Sequence, residues 1–339
     1  MNILVLGGTQ FSGRAFVELA VNSGHQITLL HRSKQDPGLP SQVRRLIGDR
    51  DPEKGDGLDR IKELLDAGER FDAVVDMCGY TPRVTKSACE LLKDATDLYI
   101  FISTISVYEK DPQSLPLNED SKKIVLGDPT VEEVNGETYG GLKVLCEQVV
   151  IDAFPTNHCI PRPCVIAGPN DPTDRVTWWA RMLTTQDNLV IPNDPAGHAS
   201  FIDSRDLAAF FLHCATNKIT GIFNTTGPET ELTLHEFITR SHNALGSKTN
   251  LIQADHDWIS SQDIQRWVDI PTWLPDESQY MHTISSSKAL SSGLKNRPLE
   301  DTMKAIHQWD VDRGLPDLKA GMSPERINEI VQALSTSQA

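Results

Sequence analysis

Short apolar runs alternate with amphipathic segments through the first half of the chain. Residues 3–6 form an unbroken apolar run, which is typical of a parallel strand buried on both faces. From residue 11 onward, Phe16, Leu19 and Ala20 fall on one side of a helix. By the same criteria, strands are predicted at residues 3–6, 26–30, 43–47, 73–76, 98–103 and 158–162, and helices at residues 11–23, 57–67, 82–93 and 139–153.

This alternation predicts the fold class. Strand–helix–strand units build a parallel sheet, and their right-handed crossover connections place the helices on its faces. We therefore expect an α/β protein with a doubly wound parallel sheet of the Rossmann type.

The pattern changes after residue 168, where Pro and Gly cluster and the strands become short. We expect a smaller, mixed lobe there, because open α/β sheets bind ligands at the carboxyl ends of their strands, where insertions can build a pocket. The expected domains are a dinucleotide-binding domain of residues 1–168, to which residues 203–225 return, and a substrate-binding lobe with C-terminal helices in residues 169–339.

A glycine-rich turn follows the first predicted strand. Gly7, Gly8 and Gly13 lie between this strand and the first predicted helix. Backbone N–H groups and the helix dipole attract a pyrophosphate at such a turn, and glycine lets the phosphate approach the chain. The sequence therefore predicts a dinucleotide site.

Composition and charge exclude several classes of function. The formal net charge is −15, so we expect no nucleic-acid partner, although residues 1–50 hold six basic and three acidic residues and fit a bound phosphate compound. No run approaches the ~18 apolar residues of a membrane span, and we expect neither a signal peptide nor a membrane partner. The six cysteines show no C-x-x-C spacing, which indicates a reduced, cytoplasmic protein.

Four further segments fit one family together with the glycine turn. They are Ile-Ser-Thr-Ile-Ser-Val-Tyr at residues 102–108, Tyr-Gly-Gly-Leu-Lys at 139–143, Pro-Arg-Pro-Cys-Val-Ile-Ala-Gly-Pro at 161–169 and Phe-Ile-Asp-Ser-Arg-Asp-Leu-Ala at 201–208. In this order, the set resembles the extended short-chain dehydrogenase/reductases, which include nucleotide-sugar epimerases and dehydratases. The resemblance covers residues 1 to about 310.

The resemblance assigns catalytic roles to three residues. Tyr139 and Lys143 lie one helical turn apart, so their side chains share a face. A tyrosine with a reference pKa near 10 needs a nearby ammonium and an oxidised nicotinamide to act as an acid–base group at neutral pH. In the family this tyrosine moves the substrate proton, the lysine also holds the nicotinamide ribose, and a hydroxyl orients the carbonyl. That hydroxyl is assigned to Thr104, with Ser103 as the alternative.

The resemblance also implies a cofactor site. The glycine motif departs from the family at Gln10, where glycine is common, and this is tolerated if the backbone there needs no positive φ. The expected cofactor-binding residues are Gly7, Thr9, Gln10, Phe11, Gly13, Arg32, Ser33, Asp49, Cys78, Gly79, Ser103, Tyr139, Lys143, Pro163 and Val165.

The end of the second strand bears on the choice of cofactor. NAD enzymes place an acidic residue there, whereas NADP enzymes place a basic one near the 2′-phosphate. The chain continues His31-Arg32-Ser33-Lys34, and no carboxylate follows until Asp36. NADP is therefore favoured, with NAD as the alternative.

The substrate side of the motif differs from that of nucleotide-sugar enzymes. Val165 and Ala199 stand where those enzymes commonly carry an asparagine and an arginine for the diphosphate. Arg175, Trp178, Trp179 and Arg181 could build another pocket, but tryptophans at helical spacing are more often core residues, and we favour that interpretation for the two tryptophans. We expect no metal site.

The predicted function is an NAD(P)-dependent oxidoreductase that moves a hydride to or from a carbonyl or alcohol carbon of a small polar substrate. Two alternatives remain: a nucleotide-sugar epimerase or dehydratase with tightly bound cofactor, and a non-catalytic dinucleotide-sensing or RNA-associated member of the family. A homodimer, joined through the helices at 82–93 and 139–153, is slightly favoured over a monomer.

Overall fold

The computed structural model describes residues 1–35, 38–110 and 115–337, with only the backbone described at residues 277 and 279. In chain order, its strands are β1 (Asn2–Leu6), β2 (Gln26–His31), β3 (Arg44–Ile47), β4 (Ala73–Asp76), β5 (Tyr99–Phe101), β6 (His158–Pro163), β7 (Ile166–Ala167), β8 (Asn188–Asn193), β9 (Ile202–Asp203), β10 (Gly221–Thr225) and β11 (Asn250–Asp255).

The α-helices are α1 (Phe11–Asn22), α2 (Gly57–Asp66), α3 (Pro82–Leu92), α4 (Tyr139–Ala153), α5 (Arg175–Thr185), α6 (Ser204–Asn217), α7 (Leu234–Ala244), α8 (His256–Ser260), α9 (Ser287–Ser291), α10 (Leu299–Asp312) and α11 (Pro324–Ser337). Short 3₁₀ helices cover Ile105–Val107 and Asp276–His282. In the part of the chain that is described, no helix is both long and apolar enough to cross a membrane.

The main sheet has seven parallel strands in the order β10-β6-β5-β4-β1-β2-β3. Its central strands are buried on both faces, as their apolar runs predict, and the side chains of residues 3–6 are fully inaccessible to solvent. The expected Rossmann-type fold class is confirmed.

By its internal contacts the chain divides into two compact units. The first consists of Met1–Cys164, Ser204–Thr226 and Ile284–Lys295 and contains the seven-stranded sheet. The second consists of Val165–Asp203, Gly227–Thr283 and Asn296–Ala339, with two small parallel pairs, β7 with β9 and β8 with β11.

A buried charge network ties α4 to the sheet in the first unit. Arg162 on β6 donates two hydrogen bonds, of 2.8 and 2.7 Å, to the carboxylate of Glu147 on α4, and both side chains are almost completely buried. The same guanidinium donates to the hydroxyl of Tyr108, which donates to Asn224 on β10. The network therefore joins the helix that begins at Tyr139 to the far edge of the sheet.

The second unit has its own apolar core, and two tryptophans lie at its centre. Trp178 and Trp179 of α5 are fully buried and meet edge to face at 4.9 Å. Their indole N–H groups donate to the backbone carbonyls of Met322 and Pro271, and Arg181 pairs with Asp310. The two tryptophans are core residues, as the favoured interpretation of the sequence predicted.

Replacement of Glu147 by glutamine should strongly destabilise the protein. The substitution leaves the buried Arg162 charge without its counterion, which typically costs about 3–5 kcal/mol of unfolding free energy. Urea unfolding followed by circular dichroism measures this loss. The control is Asp66→Asn, which breaks the exposed Lys62–Asp66 pair and should leave the midpoint nearly unchanged. Equal effects of the two substitutions would contradict the structural role of the network.

Candidate functional site

The glycine turn between β1 and α1 forms a cradle that fits a pyrophosphate. Gly8 has a φ of +100°, a conformation that other residues rarely adopt. A Cβ on Gly13 would lie 2.4 Å from the Cα of Gly8, so the turn closes only with glycine at this position. The amino end of α1 thereby comes close to the end of β1, where its free N–H groups can bind an anion.

Gln10 stands where the family commonly has glycine, and its backbone is not strained. This residue is exposed and extended, with φ −133° and ψ 154°, so the condition for tolerating a side chain is met. A left-handed backbone conformation occurs instead at Phe11, whose φ is 46°. Such a conformation costs a non-glycine residue about 1–2 kcal/mol, and backbone strain of this kind clusters at binding sites. Thr9, between the glycines and Gln10, is partly buried.

The carboxyl ends of β1 and β4 meet beside this turn. A Cβ on Gly7 would lie 3.0 Å from Sγ of Cys78, the second residue after β4. Because β1 lies between β4 and β2, the strand order changes direction here. Ligands of doubly wound sheets bind at this kind of switch point.

We call the region bordered by the glycine turn and the carboxyl ends of β1, β2 and β4 the crevice. A buried ion pair that was not predicted from the sequence lies beside it, with Arg50 3.5 Å from Sγ of Cys78. Arg50 donates to both carboxylate oxygens of Asp76, at the end of β4, and both side chains are almost fully buried. The hydroxyl of Tyr99 and the backbone N–H of Cys78 also donate to Asp76. Burial alone would raise the pKa of Asp76, but the adjacent guanidinium holds it below its usual value. An aspartate that ends an apolar strand was the available sequence signal.

The residues expected at the adenosine end of the cofactor lie after β2 and β3. Arg32 is highly exposed, at 80%, and its guanidinium lies 3.8 Å from the carboxylate of Asp49. The Ser33 hydroxyl accepts a hydrogen bond from the backbone of Gln35. Asp36 lies outside the described residues. The structure therefore brings Arg32 and Asp49 together at the edge of the crevice.

Tyr139 and Thr104 lie close together beyond the carboxyl end of β5. Tyr139 is the first residue of α4, and Thr104 caps the short helix that follows β5. The Thr104 hydroxyl donates to the Ser106 hydroxyl and accepts from the Ser106 backbone N–H, and it lies close enough to the phenol to lower the pKa of Tyr139. A Cβ on Gly140 would lie 2.2 Å from the carbonyl oxygen of Ser106, so glycine allows α4 to pack closely against this segment. Ser103 is buried, and its hydroxyl has no partner among the described residues.

Lys143 lies one turn along α4, with its ammonium in a cage of carbonyls and aromatic rings. Nζ donates to the carbonyl oxygens of Gly79, at 2.8 Å, and Ile102. It also lies 4.0 Å from the ring centroid of Phe101 and 5.7 Å from that of Tyr80. Burial lowers the pKa of Lys143, and none of its hydrogen bonds goes to a carboxylate. Two of its three N–H groups are thus used to fix its position.

The phenol of Tyr139 is protonated at neutral pH, because its surroundings raise its pKa. Burial raises its pKa to about 12, the neighbouring Tyr80 adds to the rise, and the Thr104 hydroxyl opposes it. From the sequence, we expected a neighbouring ammonium and an oxidised nicotinamide together to lower the pKa of Tyr139. The protein alone produces the opposite shift, because burial is the largest influence on the pKa of this phenol.

The remaining predicted residues fall in two places. Gly79 lies at the end of β4 in the lysine cage, and Pro163 ends β6. Val165 belongs to the second unit, where it packs against the tryptophan-containing core and accepts a backbone hydrogen bond from Ile202. Ala199 is buried in the same unit.

The comparison with known families agrees with this architecture. The model of the NAD dependent epimerase/dehydratase family matches residues 3–225. The chain therefore belongs to this family. The match confirms the resemblance to this family that the sequence motifs predicted.

Individual relatives are distant. The chloroplast stem-loop binding protein of 41 kDa b from Arabidopsis thaliana is 28% identical over 240 residues, which are 66% of this chain and 58% of that protein. UDP-glucose 4-epimerase from Neisseria meningitidis is 29% identical over 171 residues, which are 44% of this chain and 48% of the enzyme. The chain thus spans about half the length of these curated relatives.

Solved structures extend the likeness of fold to nearly the whole chain. UDP-N-acetylglucosamine 4-epimerase from Bacillus cereus superposes with a TM-score of 0.67 at 21% identity. The match covers 93% of this chain and all of that structure. At this level of identity the comparison establishes the architecture.

Alanine at Gly140 should disturb this site. The added methyl group would collide with the Ser106 carbonyl and push the start of α4 away from Thr104 and from the lysine cage. A misplacement of about 1 Å can cost about two orders of magnitude in a reaction rate, and we expect a nicotinamide dinucleotide to bind at least about tenfold more weakly. Fluorescence titration measures the affinity.

The matched control for this experiment is Gly136→Ala, because a Cβ on Gly136 has nothing within 4 Å. It should bind NADPH as the unmodified protein does. Native affinity in Gly140→Ala would show that the close packing of α4 does not shape the cofactor site.

Proposed function

We propose that this protein is an NADP(H)-dependent oxidoreductase that reduces a carbonyl carbon, or oxidises an alcohol carbon, of a small polar substrate. The observation that carries the proposal is the placement of Tyr139, Thr104 and Lys143 at the edge of the sheet where the glycine turn opens. These residues supply a proton donor, a hydroxyl that orients the substrate and a fixed cation.

In the proposed mechanism, each of these residues has one task. A bound nicotinamide supplies or accepts the hydride. Tyr139 holds a proton at neutral pH that it can donate to the oxygen of a carbonyl substrate, but burial raises its pKa to about 12, so it is a weak acid until a positive charge comes close. The Thr104 hydroxyl lies near the phenol and can orient the same oxygen. The third N–H of Lys143 remains for a ribose hydroxyl, and its charge stabilises the phenolate left after proton transfer.

Among the nicotinamide dinucleotides, NADP(H) is the proposed cofactor. The exposed Arg32 follows β2 directly and can form a bidentate contact with a 2′-phosphate, and Ser33 adds a hydroxyl. No acidic residue stands at the end of β2 to accept the ribose hydroxyls of NAD.

The substrate is proposed to lack a nucleoside diphosphate. Val165 and Ala199 supply no polar group where nucleotide-sugar enzymes commonly hold the diphosphate. The second candidate, a nucleotide-sugar epimerase, is favoured by the name of the Neisseria relative. Purified protein distinguishes the two, because an epimerase regenerates its cofactor internally and retains it, whereas a reductase exchanges it.

The Arabidopsis relative is by name a stem-loop binding protein, which keeps an RNA-associated role as an alternative. A net charge of −15 and the presence of Tyr139 and Lys143 favour the enzyme. We place the protein in the cytoplasm, because all six cysteines are free thiols, as in a reducing compartment.

A homodimer through α3 and α4 stays a prediction. Part of the apolar surface of α4 contacts the chain's own preceding segment, since a Cβ on Gly141 would lie 2.9 Å from Leu126. The area left for a partner is correspondingly smaller. Lys86 and Glu90 are exposed on α3 and form an ion pair with each other.

Replacement of Tyr139 by phenylalanine should abolish turnover and leave cofactor binding unchanged. It keeps the ring but removes the transferable proton, and a general acid of this kind contributes about 10²–10⁴-fold. NADPH oxidation is measured on the best substrate from a panel of small aldehydes, ketones and keto sugars. Tyr280→Phe, in the second unit, is the control. Near-native turnover in Tyr139→Phe would refute the mechanism.

Alanine at Arg32 should weaken NADPH binding and leave NADH binding unchanged. A charge-assisted hydrogen bond to phosphate contributes about 1.5–3 kcal/mol, which corresponds to roughly tenfold or more in affinity. Fluorescence titrations of the unmodified protein, Arg32→Ala and the exposed control Arg60→Ala measure both dissociation constants. Tighter binding of NADH than of NADPH by the unmodified protein would overturn the proposed cofactor preference.

A further inference from the structure

His31 ends β2 at the carboxyl edge of the sheet, directly before Arg32. Its backbone carbonyl accepts a hydrogen bond from Gly48 after β3, and that of Leu30 accepts one from Gly7 in the glycine turn. A Cβ on Gly8 would lie 3.4 Å from Leu29, so the side chain of Leu29 lies beneath the turn. Because side chains two residues apart share a face of a strand, His31 also lies on the side of the glycine turn.

The imidazole of His31 is buried without a hydrogen-bond partner. The residue is only 5% exposed, and neither Nδ1 nor Nε2 has a partner among the described residues. Buried polar groups are almost always satisfied, and an exception needs a water, an ion or a ligand to explain it. The position beside the glycine turn and Arg32 indicates an anion.

We propose that His31 is a specificity-determining residue for the 2′-phosphate of NADP(H), to which its protonated imidazole donates a hydrogen bond beside Arg32. This inference rests on the proposed use of NADP(H). It makes the preference for NADP(H) over NAD(H) depend on pH, because NAD(H) has no group to pair with the imidazolium.

The charged groups around His31 support such a switch. Arg45 on β3 pairs in register with Leu29 and therefore shares the face of His31. On α1, Arg14 is engaged by Glu18 and by the carbonyl of Gly38. Burial and the charge of Arg45 lower the pKa of His31, so the free protein carries a neutral imidazole at pH 7. After β3, the carboxylate of Asp49 lies 3.8 Å from the guanidinium of Arg32, and a dianionic phosphate placed here would bring further negative charge to the imidazole.

The direction of the pH effect follows from linkage. A bound dianion favours the imidazolium and raises the pKa of His31 above its value in the free protein. Between these two values, binding of NADP⁺ takes up a proton, and its affinity rises as the pH falls. The free 2′-phosphate protonates near pH 6, so measurements at pH 6.5 and above keep it mostly dianionic.

Calorimetric titration with NADP⁺ and NAD⁺ tests the proposal. Dissociation constants are measured at pH 6.5 and 8.5, and proton uptake is obtained at pH 7 from two buffers of different ionisation enthalpy. We expect the preference for NADP⁺ to be roughly tenfold greater at pH 6.5 than at pH 8.5. NADP⁺ should take up more protons than NAD⁺.

The test variant is His31→Asn, and the matched control is His25→Asn, which changes a histidine just before the opposite end of the same strand. His31→Asn should lose both the pH effect and the extra proton uptake, whereas His25→Asn should keep them. Should His31→Asn fail to fold, as judged by circular dichroism, the proton uptake of the unmodified protein decides alone.

A preference for NADP⁺ that does not change with pH, or extra proton uptake that persists in His31→Asn, would refute the role of His31 and leave the NADP(H) preference intact. Tighter binding of NAD⁺ at both pH values would instead overturn the proposed cofactor preference itself.

Discussion

The buried ion pair between Arg50 and Asp76 fixes the geometry of the crevice on which the rest of the site depends. Arg50 follows β3 and Asp76 ends β4, although β1 and β2 separate these strands in the sheet. The pair therefore holds the segment after β3 against the end of β4, and Asp76 also binds Cys78, whose side chain meets the glycine turn. Because removing either partner would leave a buried charge uncompensated, this arrangement is held firmly.

Charge and burial also determine the properties of Lys143 and Tyr139. Nζ of Lys143 is anchored by backbone carbonyls and aromatic rings, so its charge is not neutralised by a carboxylate in hydrogen-bond contact. The partly buried phenol of Tyr139, at the start of α4, keeps its proton at neutral pH, because burial raises its pKa. Under the proposed mechanism, this arrangement favours proton donation to a carbonyl, and phenolate formation would need an additional positive charge near the phenol.

Periodicity and motifs were sufficient to predict the main elements of the first unit. The strand at 73–76 and the helix at 139–153 agree with the structure to the residue, because each has a continuous pattern and clear ends. The partners of individual polar groups could not be predicted. The Arg50–Asp76 pair joins distant segments, the left-handed Phe11 depends on the closed turn, and the unpartnered state of His31 depends on what surrounds it in space.

A crystal structure of the protein with NADP⁺ tests the central claim most directly. The account predicts that the pyrophosphate lies on the backbone of the glycine turn, that a nicotinamide ribose hydroxyl accepts a hydrogen bond from Lys143, and that the Tyr139 hydroxyl faces the nicotinamide ring. A dinucleotide bound away from the glycine turn, or a nicotinamide ribose out of reach of Lys143, would contradict it.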